Sequence, residues 1–239
     1  YIPEIHTTAT DQKTGINHTE SEEQATIIDT VLYSHLLPGK EYTVKGTLMN
    51  KETGEAILIN GEEVTAETTF TAEKSEGSVD VIFTFDASAI EGTTVVAFET
   101  LTYKGIEIAV HAEIEDKDQT VYIPKVRTSA IDKTTKINHT EATKEATIID
   151  TVSYEGLEIG REYTVKGVLM DRNTGAEIQV GGESITDEKT FTAETADMTV
   201  TLTYTLDASK LAGTTTVVFE TLYTCLLYTS PSPRDMRRS

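Results

Sequence analysis

Tryptophan is missing from this chain, cysteine occurs once, at Cys225, and no apolar run is long enough to cross a bilayer as a helix. A chain without cysteine pairs cannot use disulfides, so a load-bearing extracellular protein of this composition would need another covalent link. Tyr1 does not begin a signal peptide. We therefore expect an internal piece of a longer protein, whose secretion signal and anchor lie elsewhere.

Basic residues are also scarce. The 239 residues contain 20 Lys and Arg against 40 Asp and Glu, which gives a formal net charge of −20. Such a surface repels phosphate backbones and anionic lipid, so we expect no nucleic-acid partner and no membrane partner. The chain has no zinc-ligand spacing and no phosphate-binding glycine loop, and the acidic run 113–118 lacks EF-hand spacing, so we expect no cofactor and no metal.

The chain repeats itself with a constant offset of 121 residues. Residues 1–11 return at 122–132, 25–31 at 146–152, 41–46 at 162–167 and 98–101 at 219–222. A constant offset leaves no room for an insertion or deletion between the copies. The chain therefore contains two copies of one domain, joined without a Gly/Ser linker, and we expect them to stack as a semi-rigid rod.

Each copy has the pattern of short strands separated by turns. Residues 42–49 alternate in the manner of a half-buried strand, as do residues 79–85, and Asn60-Gly61 predicts a tight hairpin. Residues 86–90 predict one helical turn, and 106–114 and 119–123 predict the final strands. The expected fold is all-β, with two tandem immunoglobulin-like antiparallel β-sandwich domains, the second truncated.

The similarity between the second copy and the first ends near Thr224. The stretch that follows carries the only cysteine and three arginines against one aspartate, and it is similar to translated sequencing-adapter read-through. A basic anchoring tail is the alternative. We predict a complete repeat at 1–121, a repeat lacking its last strands at 122–223, and a non-native tail at 224–239.

Six residues of the first copy, in a fixed order, resemble a known family. Thr7, Asp29, Glu99, His111, Asp116 and Gln119 together look like the T-Q ester-bond domain (VaFE repeat) of surface adhesins and pilus-like stalks of Gram-positive bacteria. The resemblance covers residues 1–123 fully and 122–222 in part. It implies that a Thr hydroxyl on the first strand attacks the side-chain amide of a Gln near the last strand, releasing ammonia and leaving an ester.

The resemblance implies Thr7 as nucleophile and Gln119 as electrophile. Thr8 is the rival nucleophile, but the second copy has Thr128 and Ser129 at these two positions, and alternation along the strand points Thr7 inward. A hydroxyl needs a base and an amide needs a proton donor. We expect the base to be His111, oriented by Asp116, and the donor to be a proton shared by Asp29 and Glu99.

The second copy keeps Thr128, Asp150 and Glu220 but not the remaining members of the set. The position matching His111 is Ser232, and the position matching Gln119 would be 240, beyond the last residue. We therefore predict that the second copy cannot form its own bond.

These features predict a structural stalk or spacer module of a cell-wall-anchored surface adhesin. Its partners would be neighbouring repeats of the same chain and, through a tip domain elsewhere, a host ligand. A ligand-binding adhesive module that recognises a host protein or glycan is the alternative. A turnover enzyme is not expected, because the reaction consumes its own residues once. A Lys–Asn isopeptide link is a related possibility that the Gln-centred motif disfavours.

Overall fold

The computed structural model describes residues 2–224. They form two compact units, one built mainly from residues before 128 and the other mainly from residues after 127. Residues 225–239, which carry most of the predicted non-native tail, lie outside the described part, and the exact domain boundaries remain a prediction. No helix within residues 2–224 is long and apolar enough to span a membrane.

The first domain contains ten strands. They are β1 (Glu4–Asp11), β2 (Ala25–Ser34), β3 (Glu41–Asn50), β4 (Leu58–Ile59), β5 (Glu62–Glu63), β6 (Thr65–Thr71), β7 (Gly77–Phe85), β8 (Thr94–Tyr103), β9 (Ile106–His111) and β10 (Thr120–Tyr122). One sheet has the order β1-β2-β7, and the other has the order β10-β8-β3-β6, with β9 also paired to β8. The ladders between these strands are antiparallel.

The core lies between these two sheets, because the apolar residues of each strand alternate with polar ones. Along β2 every second residue is buried, and β3 and β8 contribute the facing side chains. Burial of each large aliphatic or aromatic side chain stabilises the domain by roughly 1.5–3 kcal/mol. The cluster includes Ile27, Val31, Val81 and Phe83 from one sheet and Val44, Leu48, Val95 and Leu101 from the other. The predicted all-β sandwich is confirmed.

Two local predictions are confirmed by backbone geometry. Asn60 and Gly61, between β4 and β5, both have positive φ, at 55° and 85°, as the two-residue turn of a twisted hairpin requires. The predicted helical turn is a 3₁₀ helix at Ala87–Ile90, capped by Asp86, whose carboxylate accepts the backbone N–H of Ser88.

Two other strand predictions need correction. The strand predicted at 106–114 ends at His111, because the backbone turns where the Asp116 N–H donates to the Glu113 carbonyl, 3.0 Å away. Gln119, predicted to start the last strand, lies one residue before β10. The edge strand β6 was not predicted, because its polar, threonine-rich sequence gives only a weak alternation.

The second domain repeats this plan as far as its eighth strand. Its strands are β11 (Lys125–Asp132), β12 (Ala146–Glu155), β13 (Glu162–Asp171), β14 (Gln179–Val180), β15 (Glu183–Ser184), β16 (Thr186–Thr192), β17 (Met198–Leu206) and β18 (Thr216–Thr224), with a 3₁₀ helix at Ala208–Lys210. Its main sheets have the orders β11-β12-β17 and β16-β13-β18. Residues 2–224 include no counterpart of β9 or β10 in this domain.

Strand β18 of the second domain is more exposed than the matching strand β8 of the first. Phe219 is 58% exposed, whereas its counterpart Phe98 is half-buried. Val217 is half-buried, although its counterpart Val96 is fully buried. Within residues 2–224 the core of the second sandwich is therefore less well covered beside β18, and the truncation of this domain remains a prediction.

Candidate cross-linking site

The structure brings the six predicted residues of the first domain together at one edge of the sandwich. Three lie on strands of the two sheets: Thr7 on β1, Asp29 on β2 and Glu99 on β8. The others lie at the end of β9 and in the loop that follows it. The four central side chains are almost inaccessible, with exposed fractions of 5% for Thr7, 0% for Asp29, 1% for Glu99 and 0% for Gln119.

Backbone hydrogen bonds hold the loop before β10 between the edges of both sheets. The Asp118 carbonyl accepts the N–H of Ala9 on β1 at 2.8 Å, and the Gln119 carbonyl accepts the N–H of Ala97 on β8 at 3.1 Å. The first strand and the last segment of the domain are therefore neighbours, although 112 positions separate Thr7 from Gln119.

The inward orientation predicted for Thr7 is confirmed by the burial of β1. Ile5, Thr7 and Ala9 are buried, whereas Thr8 is exposed on the opposite face of the strand. Strand alternation alone produces this difference, because successive side chains point to opposite faces. Thr8 therefore lies outside the cluster.

Thr7, Gln119 and Glu99 form a closed triangle of hydrogen bonds. The Gln119 side-chain Nε2 donates to Thr7 Oγ1 and to Glu99 Oε2, and the Thr7 hydroxyl donates to the same Glu99 oxygen at 3.2 Å. The expected nucleophile and its expected amide target are thus in direct contact, and one carboxyl oxygen of Glu99 contacts both. The amide nitrogen faces Glu99, and Gln119 Oε1 is buried without a hydrogen-bond partner.

Glu99 and Asp29 form a buried acid pair. Burial, followed by the charge of Asp29 beside it, raises the pKa of Glu99 to about 10. Burial likewise raises the pKa of Asp29, partly offset by its contact with Glu99. Two carboxyl groups in contact and away from water cannot both ionise cheaply, so the pair holds a proton at neutral pH.

His111 and Asp116 form the predicted contact, with His111 Nε2 2.8 Å from Asp116 Oδ2. The other ring nitrogen, Nδ1, lies 3.3 Å from the Ile5 carbonyl on β1. Neither nitrogen is hydrogen-bonded to the Thr7 hydroxyl. Burial alone would raise the pKa of Asp116, but the His111 ring and the N–H groups of Asp118 and Gln119 together hold it below its usual value.

Gly46 and Phe83, which the sequence did not single out, shape the wall of this cluster. Gly46 lies directly across the ladder from Glu99, and a Cβ at Gly46 would come within 2.4 Å of the Phe83 ring. The missing side chain leaves room for the aromatic ring against the backbone opposite Glu99. A glycine in the middle of an alternating strand, repeated as Gly167, was the available sequence signal.

The corresponding residues of the second domain are not enclosed in the same way. Asp150 is fully buried, but Thr128 is exposed and Glu220 is only half-buried. Burial, followed by contact with Asp150, raises the pKa of Glu220 to about 8. Tyr204 replaces Phe83, and its buried hydroxyl has no hydrogen-bond partner.

The described residues contain no group of three or more His, Cys, Asp or Glu side chains arranged to hold a metal ion. The groups that meet at the site are a hydroxyl, an amide, an acid pair and the His111–Asp116 pair. An all-β domain that buries these groups between its first strand and its last segment has the architecture of an internally cross-linked sandwich.

The chain belongs to the family of T-Q ester bond containing domains, whose model matches residues 3–123 and again residues 124–235. This family consists of internally cross-linked structural domains rather than enzymes. The two matches agree with the two copies seen in the sequence. The roles assigned to individual residues remain predictions.

Solved structures that align with this chain at low identity were also found. Two crystal forms of a bacterial adhesin from Mobiluncus mulieris, described as containing intramolecular disulfide, isopeptide and ester bond cross-links, align at 14% and 15% identity with TM-scores of 0.42 and 0.45. The alignments cover 84% of this chain and 76% and 77% of the adhesin chains. A β-galactosidase from Bacteroides fragilis aligns at 13% identity and a TM-score of 0.36, over 52% of this chain and 18% of its own. No curated protein matches the chain.

Proposed function

We propose that the chain is a load-bearing spacer of a cell-surface adhesin of a Gram-positive bacterium, and that its first domain is locked by an ester between Thr7 and Gln119. The observation that carries this proposal is the buried contact of the Thr7 hydroxyl with the Gln119 amide and with Glu99. The family supplies the type of bond. Attachment to a cell wall and a host ligand bound by a separate tip domain are further parts of the proposal.

In the proposed reaction the acid pair accepts one proton and later returns one. The Thr7 oxygen adds to the Gln119 side-chain carbonyl carbon and gives its proton to the Asp29–Glu99 pair. The carbon–nitrogen bond then breaks, and the pair returns one proton to the leaving nitrogen, which departs as ammonia. Glu99 Oε2 contacts both the hydroxyl and the nitrogen, so one carboxyl group can serve both transfers. The products are an ester and one ammonia, and the pair is unchanged.

The fold supplies most of the catalysis through proximity. A buried nucleophile already in contact with its target reacts at a high effective concentration, without an external enzyme. The surrounding apolar wall strengthens each electrostatic contact. No turnover follows, because both reactants remain in the product.

The proposed mechanical role follows from the position of the bond. The ester would join β1 to the segment just before β10, so tension entering at one end would leave at the other through a covalent path. The intervening strands would then carry no load. By the loop-closure argument used for disulfides, a link across 112 positions stabilises the fold by about 4–5 kcal/mol.

Intact mass measurement of the purified chain tests the bond directly. The wild-type chain should be lighter than its sequence by one ammonia, not two, because only the first domain has both reactants. Thr7→Ala and Gln119→Ala should have their full calculated masses, and the matched control Thr8→Ala should still lose one ammonia. Full mass for the wild-type chain would refute the cross-link.

Pulling single molecules by their ends tests the mechanical role. When the first domain is cross-linked it should not extend on unfolding, whereas Thr7→Ala should release the enclosed segment, roughly 350–400 Å of chain. Equal extension by both proteins would contradict the spacer proposal even if the ester forms.

A further inference from the structure

Lys51 lies in the turn after β3, and its side chain reaches the loop that carries Gln119. Its Nζ is 3.1 Å from the Ile114 carbonyl oxygen, 3.3 Å from the Thr120 hydroxyl and 3.5 Å from a carboxylate oxygen of Glu115. A lysine ammonium has three N–H donors and no acceptor, so these three acceptors can use all of its donors. The contacts lie on both sides of Gln119 in the sequence.

Backbone hydrogen bonds fix the point from which the Lys51 side chain starts. The Lys51 N–H donates to the Thr94 carbonyl at 2.9 Å and so continues the ladder between β3 and β8. The Asn50 side chain accepts the N–H groups of Glu52 and Thr53, at 2.9 and 3.1 Å, which closes the turn. Lys51 therefore projects from a hydrogen-bonded turn of the sandwich, whereas its side-chain partners lie in a loop and at the start of β10.

Thr120 connects Lys51 to the turn that precedes Gln119. Thr120 is 1% exposed, and its hydroxyl donates to the Asp116 carbonyl at 2.6 Å while it accepts from Lys51. A hydroxyl has one donor and two acceptor sites, so the same group can make both bonds. The segment 116–120 is thus closed by Thr120, and Lys51 holds the closed segment from the side of β3.

The three contacts of Lys51 are not equally strong. Glu115 is 76% exposed, and an ion pair so open to water contributes little. The Lys51 side chain itself is only 25% exposed, and its bonds to the Ile114 carbonyl and the Thr120 hydroxyl have a charged donor, which makes them stronger than neutral hydrogen bonds. These two bonds carry the attachment of the loop.

We propose that Lys51 is a positioning residue that fastens the Gln119 loop to the end of β3, through the Ile114 carbonyl and the Thr120 hydroxyl, and so holds the Gln119 amide against Thr7. The proposal deepens the proposed cross-linking function and rests on it. The backbone bonds described above attach the loop to β1 and β8, and Lys51 adds an attachment to β3. A shift of about 1 Å between reacting groups can slow a reaction about a hundredfold, so this attachment should act on the rate.

The second copy has a basic residue at the matching position. Arg172 lies 121 residues after Lys51, and its N–H donates to the Thr215 carbonyl at 2.9 Å, as the Lys51 N–H does to Thr94. Arginine, like lysine, has a long side chain that ends in several N–H donors and no acceptor. Arginine is therefore the conservative substitution for Lys51 that the chain itself provides.

The first test follows ammonia loss by timed intact mass measurement of the full chain during cell-free synthesis, with Lys51→Met, Lys51→Arg and the matched control Lys45→Met. Methionine keeps an unbranched apolar side chain without N–H donors, and Lys45 is an exposed residue of the same strand, β3. We expect Lys51→Met to lose ammonia about tenfold to a hundredfold more slowly than wild type, Lys51→Arg to recover most of that loss, and Lys45→Met to match wild type. A wild-type rate for Lys51→Met, or a Lys51→Arg variant as slow as Lys51→Met, would overturn the proposal.

The second test is a double-mutant cycle with Thr120→Val, which removes the hydroxyl and keeps the branched shape of the side chain. Lys51→Met and Thr120→Val remove the same contact, so the double variant should react only a little more slowly than the slower single variant. If the two rate losses instead multiply, the two residues act independently, and Lys51 does not hold the loop through Thr120 as proposed.

Hydrogen exchange distinguishes a displaced loop from a weakened fold. In a Thr7→Ala background, which cannot form the ester, Lys51→Met should speed exchange of the amides of residues 113–121 relative to Lys45→Met and leave those of β2 and β7 unchanged. Unchanged exchange in residues 113–121 would contradict the attachment. Faster exchange throughout the first domain would show a general structural role and would contradict positioning.

These outcomes also separate the role of Lys51 from the cross-link itself. A wild-type chain of full mass contradicts the proposed function, while the exchange experiment, which needs no ester, still decides whether Lys51 holds the loop. A wild-type chain that loses one ammonia, together with a Lys51→Met variant that reacts equally fast, contradicts the role of Lys51 alone.

Discussion

The two domains share a sequence plan but differ in whether the acid pair is enclosed. In the first, Thr7 and Glu99 are buried beneath the loop and strands that follow β8. In the second, Asp150 is just as buried, but Thr128 is exposed and Glu220 is half-buried. The strands before the last segment are therefore enough to bury the first acid of the pair, which is Asp29 on β2 and Asp150 on β12. Burial of the nucleophile and of the second acid requires the last segment.

The difference also separates two kinds of contribution to the site. Strand alternation and the ladder between β3 and β8 position the reactive side chains. The segment after β9 removes water and completes the hydrogen bonds. We expect a site assembled in this way to react only when the sandwich is closed.

The largest expected effect comes from giving the second domain the missing segment. Replacing residues 225–239 with the sequence of residues 104–123 should bury Thr128 and place a glutamine beside Glu220. The chain should then lose two ammonias, and the second domain should gain about 4–5 kcal/mol of unfolding free energy. Intact mass and urea unfolding would measure both.

The matched control for that transfer is the same chain with Thr128→Ala. It should lose one ammonia, because the first domain still reacts. Loss of only one ammonia by the transferred chain itself would show that differences such as Tyr204, rather than the missing segment, prevent the reaction.

The acid pairs should also make the two domains respond differently to pH. In a Thr7→Ala background, which lacks the cross-link, folded Glu99 keeps its proton to about pH 10, whereas the unfolded chain releases it above the ordinary value of 4.5. The folded state then binds more protons, so its unfolding free energy falls as pH rises from about 4.5 to about 10. For Glu220 the fall should level off near pH 8.

Hydrogen exchange, followed peptide by peptide and corrected for intrinsic rates, would report the stability of each domain separately. Adding Glu99→Gln should flatten the pH response of the first domain and leave the second unchanged. Parallel curves for the two domains above about pH 8 would contradict the difference in their acid pairs.

The smallest expected effect concerns the aromatic residue above the acid pair. Tyr204→Phe should stabilise the second domain by about 1 kcal/mol, because it removes a buried hydroxyl that has no hydrogen-bond partner. The reciprocal change Phe83→Tyr should destabilise the first domain by about 1–3 kcal/mol. Thermal unfolding of both variants would test the pair, and a destabilising Tyr204→Phe would show that the hydroxyl is satisfied in solution.

Much of the fold followed from local patterns because those patterns are themselves physical constraints. The two-residue period of β1 was enough to point Thr7 inward and Thr8 outward. The apolar run that precedes Glu99 is typical of a buried strand, and Glu99 is buried in the structure. The offset of 121 located the second set of residues without any structural information.

The parts that could not be predicted depend on loops and on contacts distant in sequence. The second partner of His111 is the backbone carbonyl of Ile5 on another strand. Every residue has such a carbonyl, so the sequence does not indicate which one the ring contacts. Phe83 on one sheet packs over Gly46 on the other. The sequence pattern of each strand does not reveal how the two sheets are aligned, so this contact could not be predicted. The orientation of the Gln119 amide depends on the turn after Asp116, not on its own identity.

The hydrogen bond between Ala9 and the carbonyl of Asp118 has a consequence for biosynthesis. Thr7, the proposed nucleophile, is among the first residues of its domain to leave the ribosome, and Gln119, its proposed target, is among the last. Throughout synthesis of the segment between them the Gln119 amide has not yet been made, so the proposed ester cannot form before the domain is nearly complete. Ammonia release would then mark the moment at which a domain has been completed, and a surface fibre of such domains would consist of units that had each folded before being sealed.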